Sequence, residues 1–303
     1  MRCVVVGAGG FIGSAVVRRL VTDGHAVAYA KRPASSTARL AGLDLHSITI
    51  DETFDRDTVT RSLREFGTDI VINVAWSGVA NHARNDPSQF DNVTLADGWA
   101  HAAAEAGVGH YIGVGSQAEY GPTDGIIDEN TPLLPTTRYG VAKAAAGLAT
   151  RAALLESATA FTWVRIFSAY GPGDAPHWMI QAVGRLLLRN EAAEMTPGTQ
   201  LWDYIYVDDI AAAFAAMATV SGGVGYVNLG SGTVSTIRQI VEQMREISGS
   251  RSDLRFGAVP FRPDQVMHLQ ADISRLTSAT NWRPQVPLYE GLARTIEHLR
   301  KET

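Results

Sequence analysis

The chain has one cysteine, Cys3, and three lysines, at positions 31, 143 and 301, among 303 residues. A single cysteine excludes an internal disulfide and fits a reducing compartment. Its place in the first apolar run makes it a small core residue. An excess of positive charge is missing as well. The 26 basic and 31 acidic side chains leave a net charge of −5, so no basic field points to nucleic acid or to an anionic membrane. No uncharged apolar run reaches the ~18 residues of a membrane-spanning helix. The chain enters "MRCVVVGAGG" without the basic stretch, apolar core and cleavage site of a signal peptide, and a cytoplasmic location is expected. No His/Cys/Asp cluster has metal-ligand spacing, so no metal is expected.

What is present is a core-forming composition: 46% hydrophobic and 19% charged residues. One large α/β core with a smaller lobe suits that length, since single cores stop growing at about 250–300 residues. Short apolar runs predict strands at Arg2–Val6, His25–Ala30, Leu45–Ile50, Asp69–Val74, His110–Gly115 and Phe161–Phe167. Helical patterns fall near Ile12–Asp23, Asp57–Phe66, Phe90–Ala106 and Arg138–Leu155. This alternation predicts an α/β fold, a Rossmann-type doubly wound parallel sheet, with ligands beyond the carboxyl ends of its strands. After Tyr170 the pattern loosens through the Gly/Pro-rich "GPGDAPHW". Strands are expected at Asp203–Val207 and Tyr226–Leu229, and helices at Val207–Ala218, Ser235–Ile247 and Leu288–Arg300. Residues 1–170, with 203–230 returning, are read as the dinucleotide-binding domain. Residues 171–202 and 231–303 are read as a discontinuous substrate-binding lobe.

The first strand runs into "GAGGFIGSAVV". The spacing GxGxxG fails, because Ile12 stands where its third glycine belongs. GxxGxxG succeeds with Gly7, Gly10 and Gly13. Glycines permit the tight turn and close approach of a pyrophosphate, which the free amides of the following helix, at Phe11 and Ile12, then meet. About 20 residues on, an NAD site usually carries an acid for the ribose 2′-hydroxyl. Here Lys31 and Arg32 stand after the second strand, and a cation suits a 2′-phosphate. NADPH is therefore expected rather than NAD. Asp51, ending "ITIDE", is read either as an adenine contact or as a turn residue.

Tyr139 precedes Lys143 by four residues in "RYGVAK", so both share one helical face. An ammonium beside a phenol favours the phenolate, which makes the pair a proton shuttle. Random placement of 9 tyrosines and three lysines would give roughly 0.1 such pairs, so the spacing carries information. Ser116 sits past the end of the fifth predicted strand, in "GVGSQAEYG", where a hydroxyl can polarise a carbonyl.

Together, Gly7/Gly10/Gly13, "GSQAEYG", Tyr139/Lys143, "RIFSAYGPG", "DYIYVDDIA" and "FRPDQVMHLQADISRL" make the chain resemble the extended short-chain dehydrogenase/reductases that act on nucleotide sugars, from Met1 to about Glu290. The resemblance implies a catalytic Ser116–Tyr139–Lys143 triad. It implies that Asn92 supports the site, that Arg262 contacts the substrate diphosphate, and that the protein is a homodimer through helices near 90–106 and 138–155. Departures from the family pattern stand at Gln117 and Ala118, where its 4,6-dehydratases carry an Asp–Glu pair. Ser168 and Trp202 replace a common Asn and Arg. Gln117, Ser168 and Trp202 are taken as substrate-binding positions on the same resemblance.

The function expected from these features is NADPH-dependent reduction of the 4-keto group of a dTDP- or CDP-linked 4-keto-6-deoxyhexose in deoxysugar biosynthesis, because "QLWDYIYVDD" resembles such reductases. An NAD-dependent nucleotide-sugar 4-epimerase and a non-catalytic cofactor-sensing protein remain as alternatives.

Overall fold

The structure, a computed structural model, describes residues 1–33, 35–50, 54–262 and 265–302. Strand β1 (Arg2–Val6) is buried from Cys3 onward, as a central parallel strand covered on both faces must be. Helix α1 (Phe11–Thr22) follows, and β2 (Ala26–Lys31), β3 (His46–Thr49), α2 (Arg56–Phe66), β4 (Ile70–Asn73), α3 (Asp91–Ala106) and β5 (His110–Ser116) continue the alternation. Next come β6 (Gly125–Ile127), α4 (Arg138–Leu154), β7 (Ala160–Ile166), β8 (Ser168–Tyr170) and α5 (Met179–Leu188). The chain goes on through β9 (Ala193–Met195), β10 (Leu201–Trp202), β11 (Tyr204–Tyr206), α6 (Val207–Ala218) and β12 (Gly225–Leu229). It ends with β13 (Ser235–Thr236), α7 (Ile237–Ser248), β14 (Leu254–Phe256), β15 (His268–Ala271), α8 (Ser274–Thr280) and α9 (Leu288–Glu302).

Seven strands form one parallel sheet in the order β3–β2–β1–β4–β5–β7–β12. The alternation of side chains along β1 divides the core. Cys3 and Val5 pack with Val16, Val17 and Leu20 of α1 and Phe214 of α6. Val4 and Val6 pack on the other face with Leu63 of α2, Trp99 of α3 and Leu154 of α4. A third cluster joins Ile180 and Leu187 of α5, Ile240 and Met244 of α7, and Leu292 and Ile296 of α9. Trp202 lies in a separate four-stranded sheet, β13–β10–β15–β6. The strand order reverses between β1 and β4, which opens the ligand crevice of such sheets there.

Two predicted boundaries shift for local reasons. The helix expected from Ser235 begins at Ile237, because Thr236 and Gln239 close a capping box and the two residues before it pair as β13. The strand expected through Val207 stops at Tyr206, since Val207 already opens α6. Among the described residues, no helix is long and apolar enough to cross a membrane.

Candidate active site

The glycine turn sits at the crevice. Gly7 has φ +83°, and a Cβ there would lie 2.7 Å from the Ala75 amide nitrogen beyond β4. At Gly13 a Cβ would fall 2.2 Å from the Gly7 carbonyl oxygen. The turn therefore has room for backbone and ligand but not for a side chain. Helix α1 starts with Phe11 and Ile12 after Gly10, with no side-chain cap and no acid in its first turn. Its first amides lack intrahelical partners and face the crevice as an anion site. These residues fit a dinucleotide pyrophosphate.

Ser116, the last residue of β5, and Tyr139 and Lys143, on the first turns of α4, come together. All three are buried, and the nearby Ser116 side chain favours the phenolate of Tyr139. Thr137 caps α4 by accepting the Gly140 amide at 3.1 Å, which fixes where Tyr139 emerges. Lys143 Nζ donates to the Val114 carbonyl at 2.7 Å and lies 3.8 Å from the Trp76 ring centroid. Burial pulls its pKa down to about 7, against the pull of Glu119. Burial pushes the Tyr139 phenol up, opposed by Ser116 and by the Arg84 charge. The sequence reading gave that acidifying role to Lys143. In the structure its Nζ is 5.9 Å from the Tyr139 ring centroid, while the Arg84 guanidinium is 4.8 Å away.

The loop after β4 walls this cluster. Asn92 Oδ1 accepts the Ser77 amide at 2.8 Å, and its Nδ2 donates to the Ser77 carbonyl at 3.2 Å. Asn92 thus ties the loop to α3. Gln89, fully buried, accepts from the Trp76 indole at 2.9 Å and donates to the Gly78 and Ala83 carbonyls. Trp76 meets Tyr139 edge-on at 6.0 Å between centroids.

Behind Ser116 stands an ion pair. Glu119 has no exposed surface; its Oε1 accepts the Ser116 amide at 2.9 Å and the Trp163 indole at 3.1 Å. Its Oε2 accepts from Arg165 at 2.8 Å. Arg165 also donates to Tyr120, which donates to Asn228 at 2.7 Å. A carboxylate so occupied is not available as an acid for elimination. The neighbouring positions, half-buried Gln117 and Ala118, carry no acid.

The remaining expected positions spread out. Ser168 and Trp202 meet directly, the indole donating to the hydroxyl at 2.7 Å. Arg262 is exposed; its carbonyl accepts the Gln265 amide at 3.1 Å, and its side chain has no partner among the described residues. Lys31 ends β2 half-buried, Arg32 is exposed, and neither side chain has a partner among the described residues. Asp51 lies outside the described residues. Three contributors escaped the sequence reading: Arg84, Trp76 and Arg39. Arg39 donates to the Gly9 carbonyl at 3.2 Å and to the Gly173 carbonyl at 2.8 Å, bridging the glycine turn and the "GPG" loop. All three lie in the connections that follow β2 and β4, Arg39 in a short 3-10 turn. That position in an α/β sheet was a usable signal.

The sequence model of the NAD dependent epimerase/dehydratase family matches residues 3–230. A UDP-glucose 4-epimerase of Mycolicibacterium smegmatis is 28% identical over 319 residues, covering 100% of both chains. Among solved structures, the UDP-glucose 4-epimerase of Thermotoga maritima with UDP-glucose has a TM-score of 0.88 at 24% identity, covering 100% of this chain and 99% of that one. MoeE5 in complex with UDP-glucuronic acid and NAD has a TM-score of 0.83 at 27% identity, covering 100% of each.

These findings correct two expectations. The reading as a 4-ketoreductase in deoxysugar biosynthesis gives way, because the relatives are mainly UDP-sugar 4-epimerases and nucleotide-sugar dehydratases. In the "QLWDYIYVDD" segment, the Trp202 indole donates to the Ser168 hydroxyl, and the Asp203 carboxylate accepts the Ser231 amide at 2.8 Å. The NADPH preference gives way to NAD, the cofactor bound in the solved neighbours. Lys31 ends β2 half-buried and Arg32 follows it exposed.

Proposed function

This chain belongs to the NAD dependent epimerase/dehydratase family, and we propose that it is an NAD-dependent 4-epimerase of a nucleotide-linked hexose that works as a homodimer. The observation that carries the reading is the buried cluster of Ser116, at the end of β5, with Tyr139 and Lys143, on the first turns of α4, in a site whose positions 117 and 118 hold no acid for dehydration.

Gly7, Gly10, Gly13 and the first amides of α1 would hold the pyrophosphate, and Lys143 would hold the nicotinamide ribose. When bound, NAD supplies reversible hydride transfer at the sugar carbon. The protein's part is proton traffic and orientation. Tyr139 Oη takes the proton of the C4 hydroxyl and returns it, ending in its starting state. Ser116 Oγ holds the same sugar oxygen as its charge changes. Arg39, bonded to the Gly9 and Gly173 carbonyls, keeps the two cofactor-facing loops together while the sugar presents its other face. Gln117 and Ser168, from the dinucleotide-binding domain, and Trp202, from the lobe formed by 171–202 and 231–303, line the sugar side. Arg262 meets the substrate diphosphate by charge.

The test is to incubate the protein with UDP-glucose and NAD and follow UDP-galactose by proton NMR. Epimerisation without net change in nicotinamide absorbance is expected, and Tyr139→Phe should slow it by about 10²–10⁴-fold. Stoichiometric consumption of NADH or NADPH with a keto sugar, or a product that has lost water, would overturn the reading.

A further inference from the structure

Arg39 lies in the short turn Ala38–Leu40 between β2 and β3, and its backbone is anchored. Leu40 is buried in the core cluster that includes Val16 and Leu20 of α1, and Arg18 of α1 donates to the Arg39 carbonyl at 2.6 Å. The guanidinium spans the glycine turn. Its Nη1 donates to the Gly9 carbonyl at 3.2 Å and its Nη2 to the Gly173 carbonyl at 2.8 Å. The same connection rests directly on the turn, since a Cβ at Gly9 would collide with the Ser36 carbonyl oxygen. On the far side, the loop that carries Gly173 is tied to α5, where Gln181 donates to the Gly171 carbonyl at 2.8 Å. The Arg39 charge also favours the ionised form of half-buried Asp174, the next residue of that loop.

We propose that Arg39 is a positioning residue that clasps the β2–β3 connection to the Gly173 loop across the glycine turn, and that this clasp sets the rate of NAD exchange. The proposal rests on NAD being the cofactor of the function proposed above, seated on that turn. A dinucleotide on the turn enters and leaves past these two loops, so the loops part when it does. The fastening is local. Arg39 is exposed, water competes for its donors, and the clasp opens without unfolding the core. Both bonds end on backbone carbonyls, which leaves the pyrophosphate to the first amides of α1. The fork of a guanidinium presents donors in fixed directions toward two acceptors, and a lysine ammonium is a point charge without that geometry.

The test follows release of radiolabelled NAD from the loaded protein into an excess of unlabelled NAD, with equilibrium dialysis for affinity. Arg39→Met should speed release by about tenfold, through loss of two charge-assisted bonds that water partly replaces. The dissociation constant should change far less, because an opened clasp speeds entry as well as exit. Arg39→Lys keeps the charge but not the fork and should release NAD as fast as Arg39→Met. If Arg39→Met fails to fold, judged by circular dichroism, Arg39→Gln replaces it. An unchanged release rate in the folded variant overturns the proposal. So does a loss of affinity as large as the gain in release rate, or full rescue by lysine, since either would make Arg39 a direct contact of the pyrophosphate. A wild-type protein that takes up no NAD overturns the clasp together with the functional reading, whereas NAD held equally by wild type and variants sinks the clasp alone.

Discussion

Glu119 Oε1 accepts the Ser116 amide at 2.9 Å while the Ser116 hydroxyl accepts the Ala118 amide at 3.2 Å. This reciprocal cap ends β5 and fixes the rotamer of Ser116 beside Tyr139. It is built on a carboxylate with no access to water, whose charge Arg165 balances at 2.8 Å. A buried pair contributes little net stability, but breaking it leaves an uncompensated charge.

Glu119→Gln should therefore destabilise the protein by about 3–5 kcal/mol, measured by urea unfolding. At a denaturant-free temperature where the variant stays folded, kcat should fall with it, because Ser116 loses its fixed setting. A variant as stable as the wild type would show that Arg165 is balanced by another group.

Lys143 offers a prediction with the opposite sign. Burial holds its folded pKa at about 7, well below the 10.5 of a free lysine. Between those values the unfolded chain binds more protons, so stability rises with pH there and is lowest below about 7. In the cofactor-free protein, Lys143→Met should raise Tm at pH 6 and flatten its rise toward pH 10, while abolishing activity. Calorimetry across that range is the check. A lower Tm for the methionine variant at pH 6 would mean that the amine is not desolvated.

The proposed homodimer has a concrete surface. Val141, Leu148 and Leu155, seven residues apart along α4 and its end, are 40%, 59% and 70% exposed. That spacing puts them on one helical stripe, and Leu95 of α3 is exposed as well. Leu148→Arg should convert a dimer to a monomer in size-exclusion chromatography with light scattering, with the fold unchanged. A wild-type protein that elutes as a monomer at micromolar concentration would remove this part of the reading.

The sequence made the central sheet legible because its signals are local: apolar runs, a glycine turn straight after β1, and helices of ordinary length. The triad was legible for a different reason. Tyr139 and Lys143 are near in sequence, and Ser116 closes a strand. The strands of two to four residues that make up the small sheets carry too little periodicity to see, as with Leu201–Trp202 and Ser235–Thr236. Arg84 and Arg39 were hidden because their partners lie far away in the chain: Arg39 and Gly173 are 134 residues apart. Cofactor choice was misread for a related reason. Lys31 and Arg32 have the right charge for a phosphate, but charge at a strand end does not say whether a ligand or water meets it.

The position of β12 has a bearing on how the protein is made. Ser116, Tyr139 and Lys143 all precede β7, yet β7 gains its outer neighbour only when Gly225–Leu229 joins it. During synthesis, an edge strand of mostly buried residues, Ala160–Ile166, waits unpaired until some 60 further residues have left the ribosome. Unpaired edges of this kind invite association between nascent chains. Truncation before residue 229 would leave this edge of the central sheet without its outer strand.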